Sequence, residues 1–231
     1  MSSPDARAAP SSAPAVVCER VSKVYPGARP VVALDAVDLA VSAGEFLAIV
    51  GPSGGGKSTL LHLVAGIDRP TSGSIRVGGR DIGSLSESES TLYRRREVGV
   101  VFQFFNLLPH LTVRENVELP RLLDGKSDAA VRARELIDRV DLTGRADAHP
   151  YELSGGEMQR AAIARGLVTG ARLLLADEPT GNLDSRHGDE VLGLLDQVRR
   201  ERGVTLLLAT HSPAAARRAD RTVELSDGRI S

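Results

Sequence analysis

The apolar residues of the N-terminal third follow the two-residue period of β-strands. Val16–Val24 and Val31–Val41 carry β-branched and alternating apolar residues, which predicts two strands. Phe46–Val50 is continuously apolar, as expected of a strand that is covered on both faces. Ile75–Val77 precedes a Gly-Gly pair and indicates a further short strand followed by a turn. This part of the chain is therefore predicted to be rich in strands.

The apolar residues take the spacing of helices just after residue 58 and in the middle of the chain. A helix with one apolar side is predicted to end at Gly66, and another is predicted from Ser154 through Arg165. Between them, four apolar residues at positions i, i+3, i+4 and i+7 predict a helix with one buried face: Ala133, Leu136, Ile137 and Val140. The stretch from about Phe104 to Gly166 is therefore predicted to be a helical subdomain inserted between sheet-forming segments.

The C-terminal part returns to buried strands. Leu173–Ala176 and Val204–Ala209 are apolar runs, and the segment between them has helical spacing at Val191, Leu194, Leu195 and Val198. Strand, helix and strand with short joints predict an α/β fold with a parallel sheet and right-handed crossovers. The Asp-Gly pair at 227–228 indicates a closing hairpin.

Composition adds limits to this picture. Of the 231 residues, 42% are hydrophobic and 26% are charged, which is ordinary for a globular protein. The formal net charge is −1, so there is no global positive field to hold nucleic acid or an anionic membrane. The basic clusters at Arg94–Arg96 and Arg199–Arg200 are interpreted as solvated faces.

The N-terminal residues, the single cysteine and the lengths of the apolar runs indicate how the chain is organised and in which compartment it works. Residues 1–15 are rich in Ser, Ala and Pro and are predicted to be a disordered lead-in, with a single domain over 16–231. The single cysteine, Cys18, cannot form an internal disulfide, which is consistent with a reducing compartment. The longest apolar runs are far shorter than the roughly 20 residues that cross a bilayer, so any membrane role is expected to need another chain.

The segment with the clearest chemistry is Gly51–Ser58, which fits G-x-x-x-x-G-K-[ST] between a strand and a helix. Glycines let backbone N–H groups wrap a polyphosphate, and the helix that follows adds its positive end. Lys57 brings a charge to the β- and γ-phosphates, and the Ser58 hydroxyl can bind Mg²⁺. The residues predicted to bind nucleotide here are Gly51, Pro52, Ser53, Gly54, Gly55, Gly56, Lys57, Ser58 and Thr59.

Two alternatives apply to this segment. One is a flexible glycine linker. The other is the nucleophile elbow of an α/β-hydrolase, since Gly-x-Ser53-x-Gly is followed along the chain by Asp177 and His211. The hydrolase interpretation leaves Lys57 and Ser58 without a role, and no HGGG-like oxyanion segment precedes the serine. A nucleotide site is therefore preferred.

Two acids follow the apolar run at 173–176. A buried strand that ends in Asp is one way in which a nucleotide site places a carboxylate beside Mg²⁺, which suggests Asp177. If the extended geometry continues, Glu178 points the other way and can address the attacking water. Taken alone, the pair would be an ordinary solvated acidic loop.

Leu153-Ser-Gly-Gly-Glu157 is a second candidate anion site, because Ser154 can cap a helix whose two glycines expose backbone N–H groups. The segment resembles the LSGGQ signature of ABC ATPases, with Glu157 where Gln is usual. The rest of that family's pattern follows in order and covers nearly the whole chain from Val16 to Ser231. It comprises Tyr25 as the adenine-stacking residue, Gln103 of the Q-loop, Asp184 of the D-loop and the switch histidine, His211.

The resemblance implies a P-loop NTPase fold of the ABC cassette type, with a mainly parallel core sheet, an N-terminal antiparallel β part and the inserted helical subdomain. It implies ATP and Mg²⁺ as cofactors, with Glu178, His211 and Gln103 in catalysis. Ser58, Gln103 and Asp177 would bind the metal. Ser154, Gly155 and Gly156 would close over ATP held by a second copy of the chain.

Three segments resemble the lipoprotein-release, macrolide-export and FtsE-like branch of the family: Val101–Pro109, Glu115–Val117 and Ala176–Ser185. This implies a cytoplasmic protein bound to the inner face of the membrane through an FtsX- or MacB-type permease, without a nucleic-acid partner. The alternatives are a soluble ABC ATPase acting on nucleic acid or the ribosome, an FtsE-like signalling role without transport, and a small-molecule phosphotransferase. Gly55, Glu157 and Ser212 depart from the commonest family residues.

Overall fold

A computed structural model describes residues 14–231 of the chain. Most of the predicted lead-in therefore lies outside the described residues, but Pro14 and Ala15 already belong to the first strand. The strands are β1 (Pro14–Tyr25), β2 (Val31–Ser42), β3 (Phe46–Val50), β4 (Ser72–Val77), β5 (Arg80–Asp81), β6 (Val98–Val101), β7 (Leu173–Asp177), β8 (Thr205–Thr210), β9 (Arg221–Ser226) and β10 (Arg229–Ile230). The helices are α1 (Lys57–Val64), α2 (Glu87–Arg96), α3 (Val113–Leu123), α4 (Ala129–Arg139), α5 (Gly155–Leu167), α6 (Ser185–Arg202) and α7 (Pro213–Arg218).

The N-terminal strands form a four-stranded antiparallel sheet in the order β2-β1-β4-β5. Alternate residues of β1 are buried, as its two-residue period predicts, up to a bulge between Cys18 and Val21. Arg20 has a positive φ of 47° at this bulge, which changes the face that the later residues present. The predicted N-terminal antiparallel part is confirmed.

The second sheet holds six strands in the order β10-β9-β3-β8-β7-β6. Its pairs from β9 to β6 are parallel, and β10 closes the edge as an antiparallel hairpin with β9. The central strands β3, β7 and β8 are buried along almost their whole length, which accounts for their continuous apolar sequences. The carboxyl ends of these strands lie at one edge of the sheet, and the segments with candidate chemistry follow them.

The middle of the chain is helical, as predicted. Helices α3, α4 and α5 pack on one another through an apolar core that includes Val117, Leu136 and Ile163. Helix α5 also packs on β6, and a Cβ on Gly99 would lie 2.2 Å from the Gly166 carbonyl oxygen. Only glycine permits this close approach, which fixes α5 against the parallel sheet.

Some elements differ from the sequence-based expectation. Helices α2 and α7 and the short strand β5 were not predicted, since α2 and β5 carry few apolar residues and α7 is only six residues long. Arg199 was interpreted as part of a solvated face, but its side chain is only 11% exposed. It donates to the Gly44 carbonyl and forms ion pairs with Asp196 and Asp220, so that interpretation was wrong.

Within residues 14–231, we find no helix with the length and apolar character needed to cross a membrane.

Candidate nucleotide site

The glycine-rich loop lies where β3 ends and α1 begins. Gly51 and Gly56 have φ values of 149° and 102°, which L-residues rarely adopt. A Cβ on Gly51 would lie 2.0 Å from the Leu225 carbonyl oxygen, and one on Gly56 would lie 2.4 Å from that of Ala33. These two glycines are therefore required by packing against neighbouring strands, in addition to leaving room for a polyphosphate.

Lys57, the first residue of α1, is buried and points back into this loop. Its ammonium group donates to the carbonyl oxygens of Gly51 at 2.9 Å and Pro52 at 3.0 Å. It also lies 3.9 Å from Oε1 of Glu178. The loop therefore curls around a fixed positive charge, which is the arrangement that anion binding needs.

Ser58 and Asp177 form a hydrogen-bonded polar pair near the Lys57 ammonium group. The Ser58 hydroxyl donates to Oδ1 of Asp177 at 3.0 Å, joining the start of α1 to the end of β7. Burial raises the pKa of the Asp177 carboxyl above its usual value, although the bond from Ser58 opposes the shift. A hydroxyl and a carboxylate in contact are hard oxygen ligands of the kind that Mg²⁺ prefers, so these residues fit the ion.

Glu178 and His211 lie on the other side of Lys57. Glu178 donates its N–H to the Ala209 carbonyl in the last ladder bond with β8, but its positive φ of 46° ends the extended backbone at Asp177. The extended geometry that would make Glu178 point away from Asp177 therefore does not continue through Glu178. Its side chain is nonetheless only 15% exposed, and its Oε2 lies 3.0 Å from Nδ1 of His211, which is itself 69% exposed.

Gln103 follows β6 and lies against the segment after Glu178. A Cβ on Gly181 would lie 2.9 Å from Nε2 of Gln103, and Asn182 donates to the Gln103 backbone carbonyl at 2.9 Å. The side chain of Gln103 is thus placed on the loop that joins β7 to α6. Its metal-binding and catalytic roles stay predictions.

Tyr25 is held at the end of β1 by two charged residues that the sequence did not indicate. Its hydroxyl donates to Oδ2 of Asp68 at 3.1 Å, and the Lys23 ammonium lies 4.9 Å from the ring centroid. Lys23 also pairs with Asp68 at 2.7 Å. Lys23 covers one face of the ring. Because the ring is partly exposed, its other face can accept a stacking ligand.

Ser154 caps α5 as predicted, and Glu157 completes the cap. The Ser154 side chain accepts from the Glu157 N–H at 3.3 Å, while the Ser154 N–H donates to Oε2 of Glu157 at 2.8 Å. Arg145 pairs with the other carboxylate oxygen at 3.1 Å. The backbone and side-chain bonds with Ser154 and the Arg145 charge lower the pKa of the Glu157 carboxyl, although its partial burial works against them. The capping role of Glu157 follows a readable sequence pattern that was missed, whereas its pairing with Arg145 depends on the fold.

The start of α5 also contacts the loop before α6 and the first turn of α6. A Cβ on Gly155 would lie 3.2 Å from Leu183, and one on Gly156 would lie 3.3 Å from His187. Further along α5, Arg165 donates to the Phe105 carbonyl at 2.8 Å and to the Asn106 carbonyl. Both acceptor residues have positive φ, so Arg165 holds the strained turn after Gln103.

A glycine-rich phosphate loop on a parallel sheet, with two carboxylates at the end of β7 and a second capped helix start, defines a P-loop nucleotide-binding domain. The profile of the ABC transporter family matches residues 34–181. The chain therefore belongs to the ABC transporter family, and it is an ATPase cassette of that family.

Individual relatives indicate which branch of the ABC transporter family the chain resembles. The chain is 52% identical over 199 residues to the lipoprotein-releasing system ATP-binding protein LolD of Geobacter metallireducens, covering 85% of this chain and 88% of LolD. It is 46% identical over 213 residues to the macrolide export ATP-binding/permease protein MacB of Salmonella typhimurium, covering 91% of this chain but 33% of MacB. The family assignment made from the motifs, including its LolD- and MacB-like branch, is confirmed.

A solved structure agrees with the fold. The dimeric post-hydrolysis state of the ATP-binding cassette MJ0796, bound to ADP and Pi, superposes with a TM-score of 0.87 at 38% identity. The superposition covers 94% of this chain and 96% of that one. The predicted α/β cassette with two sheets and a helical insert is therefore confirmed.

Proposed function

We propose that two copies of this chain bind two ATP molecules between them and drive a separate membrane permease of the FtsX or MacB type. The process served would be export, lipoprotein release or force transmission across the envelope. One observation carries the proposal: the chain holds two separate helix starts suited to anions, at Gly56–Ser58 and at Ser154–Gly156. One nucleotide needs only one phosphate cradle, so the second is available for the nucleotide of a partner.

The first site would bind the triphosphate. The backbone N–H groups of residues 51–59 surround the phosphates, and Lys57 exchanges its bonds to the loop carbonyls for bonds to the β- and γ-phosphates. Tyr25 stacks on the adenine with the face that Lys23 leaves open. Ser154, Gly155 and Gly156 of the second copy then close over the γ-phosphate.

Ser58, Asp177 and Gln103 would hold Mg²⁺, which when bound neutralises charge on the β- and γ-phosphates. The contact between Ser58 and Asp177 supports this assignment.

Hydrolysis would depend on Glu178. Its carboxylate accepts a proton from water while the water oxygen attacks the γ-phosphorus. The bond from the γ-phosphorus to the β,γ-bridging oxygen breaks, and ADP takes the electron pair. The contact with His211 at 3.0 Å keeps the carboxylate oriented, and His211 and Gln103 respond to the γ-phosphate. Release of phosphate removes the anion that joins the two copies, so the dimer opens.

The permease would bind near Gln103–Pro109, between the parallel sheet and the helical part. A groove there is lined by Arg94, Val100, Phe102, Asn106, Pro120 and Arg165. Phe104 beside it is 71% exposed, which is unusual for a large aromatic side chain. An apolar anchor next to a groove suits a helix of a partner protein. The chain would thus be cytoplasmic and peripheral on the inner face of the membrane.

Affinity purification from detergent-solubilised native membranes tests the proposal. We expect the tagged chain to retain a four-helix permease with a large external domain, identified by mass spectrometry. Phe104→Ser should release this protein, while Val131→Ser, which changes an apolar residue that is 61% exposed on α4, should retain it. Equal retention by both variants would argue against the groove. Recovery of ribosomal proteins or nucleic acid in place of a permease would favour the alternative ABC ATPase role.

A further inference from the structure

His187 is fixed in one orientation by Asp184. Asp184 caps α6, and its Oδ1 accepts the His187 backbone N–H at 3.0 Å. The other carboxylate oxygen, Oδ2, lies 2.6 Å from Nδ1 of the same histidine. Both oxygens of one carboxylate therefore hold a single residue, and the imidazole ring has little freedom to rotate.

The opposite edge of this ring faces the start of α5. A Cβ on Gly156 would lie 3.3 Å from Cδ2 of His187 and 3.6 Å from its Cβ and Cγ. Gly155 lies in the same way against Leu183. The two glycines thus rest on the segment Leu183–His187, and nothing larger than hydrogen fits at Gly156 without displacement of the ring.

The same segment is tied to the carboxylate of the site already described. The Gly181 N–H donates to the Glu178 carbonyl at 3.0 Å, and the Leu183 N–H donates to the Thr180 carbonyl at 3.1 Å. These successive turns make a compact connection from Glu178 to Asp184. The Glu178 loop is therefore joined to Asp184 by a short hydrogen-bonded connection, and His187 joins Asp184 to Gly156.

We propose that His187 is a positioning residue that holds Ser154-Gly155-Gly156 in place to bind the γ-phosphate of an ATP carried by the partner copy. His187 acts through Gly156 and does not itself touch the nucleotide. This inference rests on the proposed two-copy ATP site. It adds that each chain links its own Glu178 loop to the helix tip that serves the other nucleotide.

The test measures dimer formation with ATP and Mg²⁺ by sedimentation in a Glu178→Gln parent, and nucleotide affinity of the monomer with a fluorescent ATP analogue. His187→Ala should weaken the dimer by about 10-fold, within the range for residues in contact, and leave monomer affinity unchanged. His187→Asn, whose side-chain amide can still donate to Asp184, should restore the dimer. Arg186→Ala, which removes an exposed side chain next in sequence, is the matched control.

A double-mutant cycle with Gly156→Ala distinguishes an effect of His187 on the position of Gly156 from a general loss of stability. The added methyl group meets the ring of His187, so Gly156→Ala should weaken the dimer less when His187 is already alanine. Additive effects, or a His187→Ala dimer as tight as the Arg186→Ala dimer, would overturn the inference and leave the two-copy site intact. A parent that stays monomeric with ATP would instead refute the proposed function itself.

Discussion

His211 Nδ1 lies 3.0 Å from Oε2 of Glu178, while the Lys57 ammonium lies 3.9 Å from Oε1 of the same carboxylate. The three residues come from the end of β8, the turn after β7 and the start of α1, respectively. Each oxygen of Glu178 therefore faces a different side-chain nitrogen. A carboxylate held on both sides near the phosphate loop has the fixed orientation that a general base requires.

Glu178→Gln should lower ATP turnover by about 100-fold or more, because the amide cannot accept the proton of water. ATP binding should persist, since the phosphate contacts come from other residues. Steady-state hydrolysis and equilibrium nucleotide binding measure the two effects separately. Glu97→Gln, which changes an exposed glutamate after α2, should behave as the wild type. Wild-type hydrolysis by the Glu178 variant would remove that residue from the base role.

Lys57→Ala should weaken nucleotide binding by at least about 10-fold, because it removes the charge that the loop encloses. It also removes two bonds to loop carbonyls, so the loop of the free protein should become less ordered. Calorimetric titration with ATP gives the affinity, and Lys126→Ala removes an exposed lysine as the control. An unchanged affinity would contradict the phosphate-loop assignment.

Asp177 predicts a particular pH dependence for the nucleotide-free protein. Its folded-state pKa is raised by burial, so the folded chain holds this proton more tightly than the unfolded chain does. The contribution of Asp177 to stability therefore falls as pH rises from the ordinary aspartate pKa through the raised value. Asp177→Asn should remove that part of the slope and also abolish the Mg²⁺ dependence of ATP binding.

Urea unfolding at a series of pH values measures this slope in both proteins. Asp189→Asn on α6, where the carboxylate is largely exposed, provides a control that should leave the slope unchanged. An Asp177→Asn slope equal to that of the wild type would show that the ionisation of Asp177 does not contribute to the pH dependence of stability.

Local sequence was sufficient for much of the fold and the site. The phosphate loop, the Ser154 cap and the buried strands each follow from residues that are close in the chain, so their periodicity and spacing are readable. Helix α2 was missed although Ser86 and Glu89 form a capping box, because its largely polar sequence shows no apolar stripe.

Other parts of the site depend on the tertiary fold. Asp68 meets Tyr25 across 43 residues of chain, and His187 meets Gly156 between two helices. No spacing rule in a single sequence reports such contacts. The positive φ of Glu178 was not readable from the sequence either, because the apolar run before it gives no sign of where the extended backbone ends.

Glu157 gives the last prediction, since it stands where the family signature usually has Gln. Glu157→Ala removes the bond to the Ser154 N–H and the ion pair with Arg145, so it should destabilise the protein by about 1 kcal/mol. Glu157→Gln keeps an oxygen for the Ser154 N–H and should cost less. Because the pKa of Glu157 is lowered in the folded state, its contribution is present above the ordinary glutamate pKa and is lost as pH falls through the lowered value.

Thermal or urea unfolding of the two variants at neutral and acidic pH checks this prediction. Glu152→Ala is the matched control, because Glu152 accepts the His149 N–H in the short 3₁₀ helix Pro150–Glu152 and takes no part in the Ser154 cap. The difference between wild type and Glu157→Ala should shrink on acidification, because the wild-type carboxylate is then protonated as well. Since the cap also orients Ser154, Glu157→Ala should weaken the ATP-dependent dimer more than Glu157→Gln does. Equal dimer affinities for the two variants would mean that the cap stabilises α5 without shaping the surface offered to the partner's nucleotide.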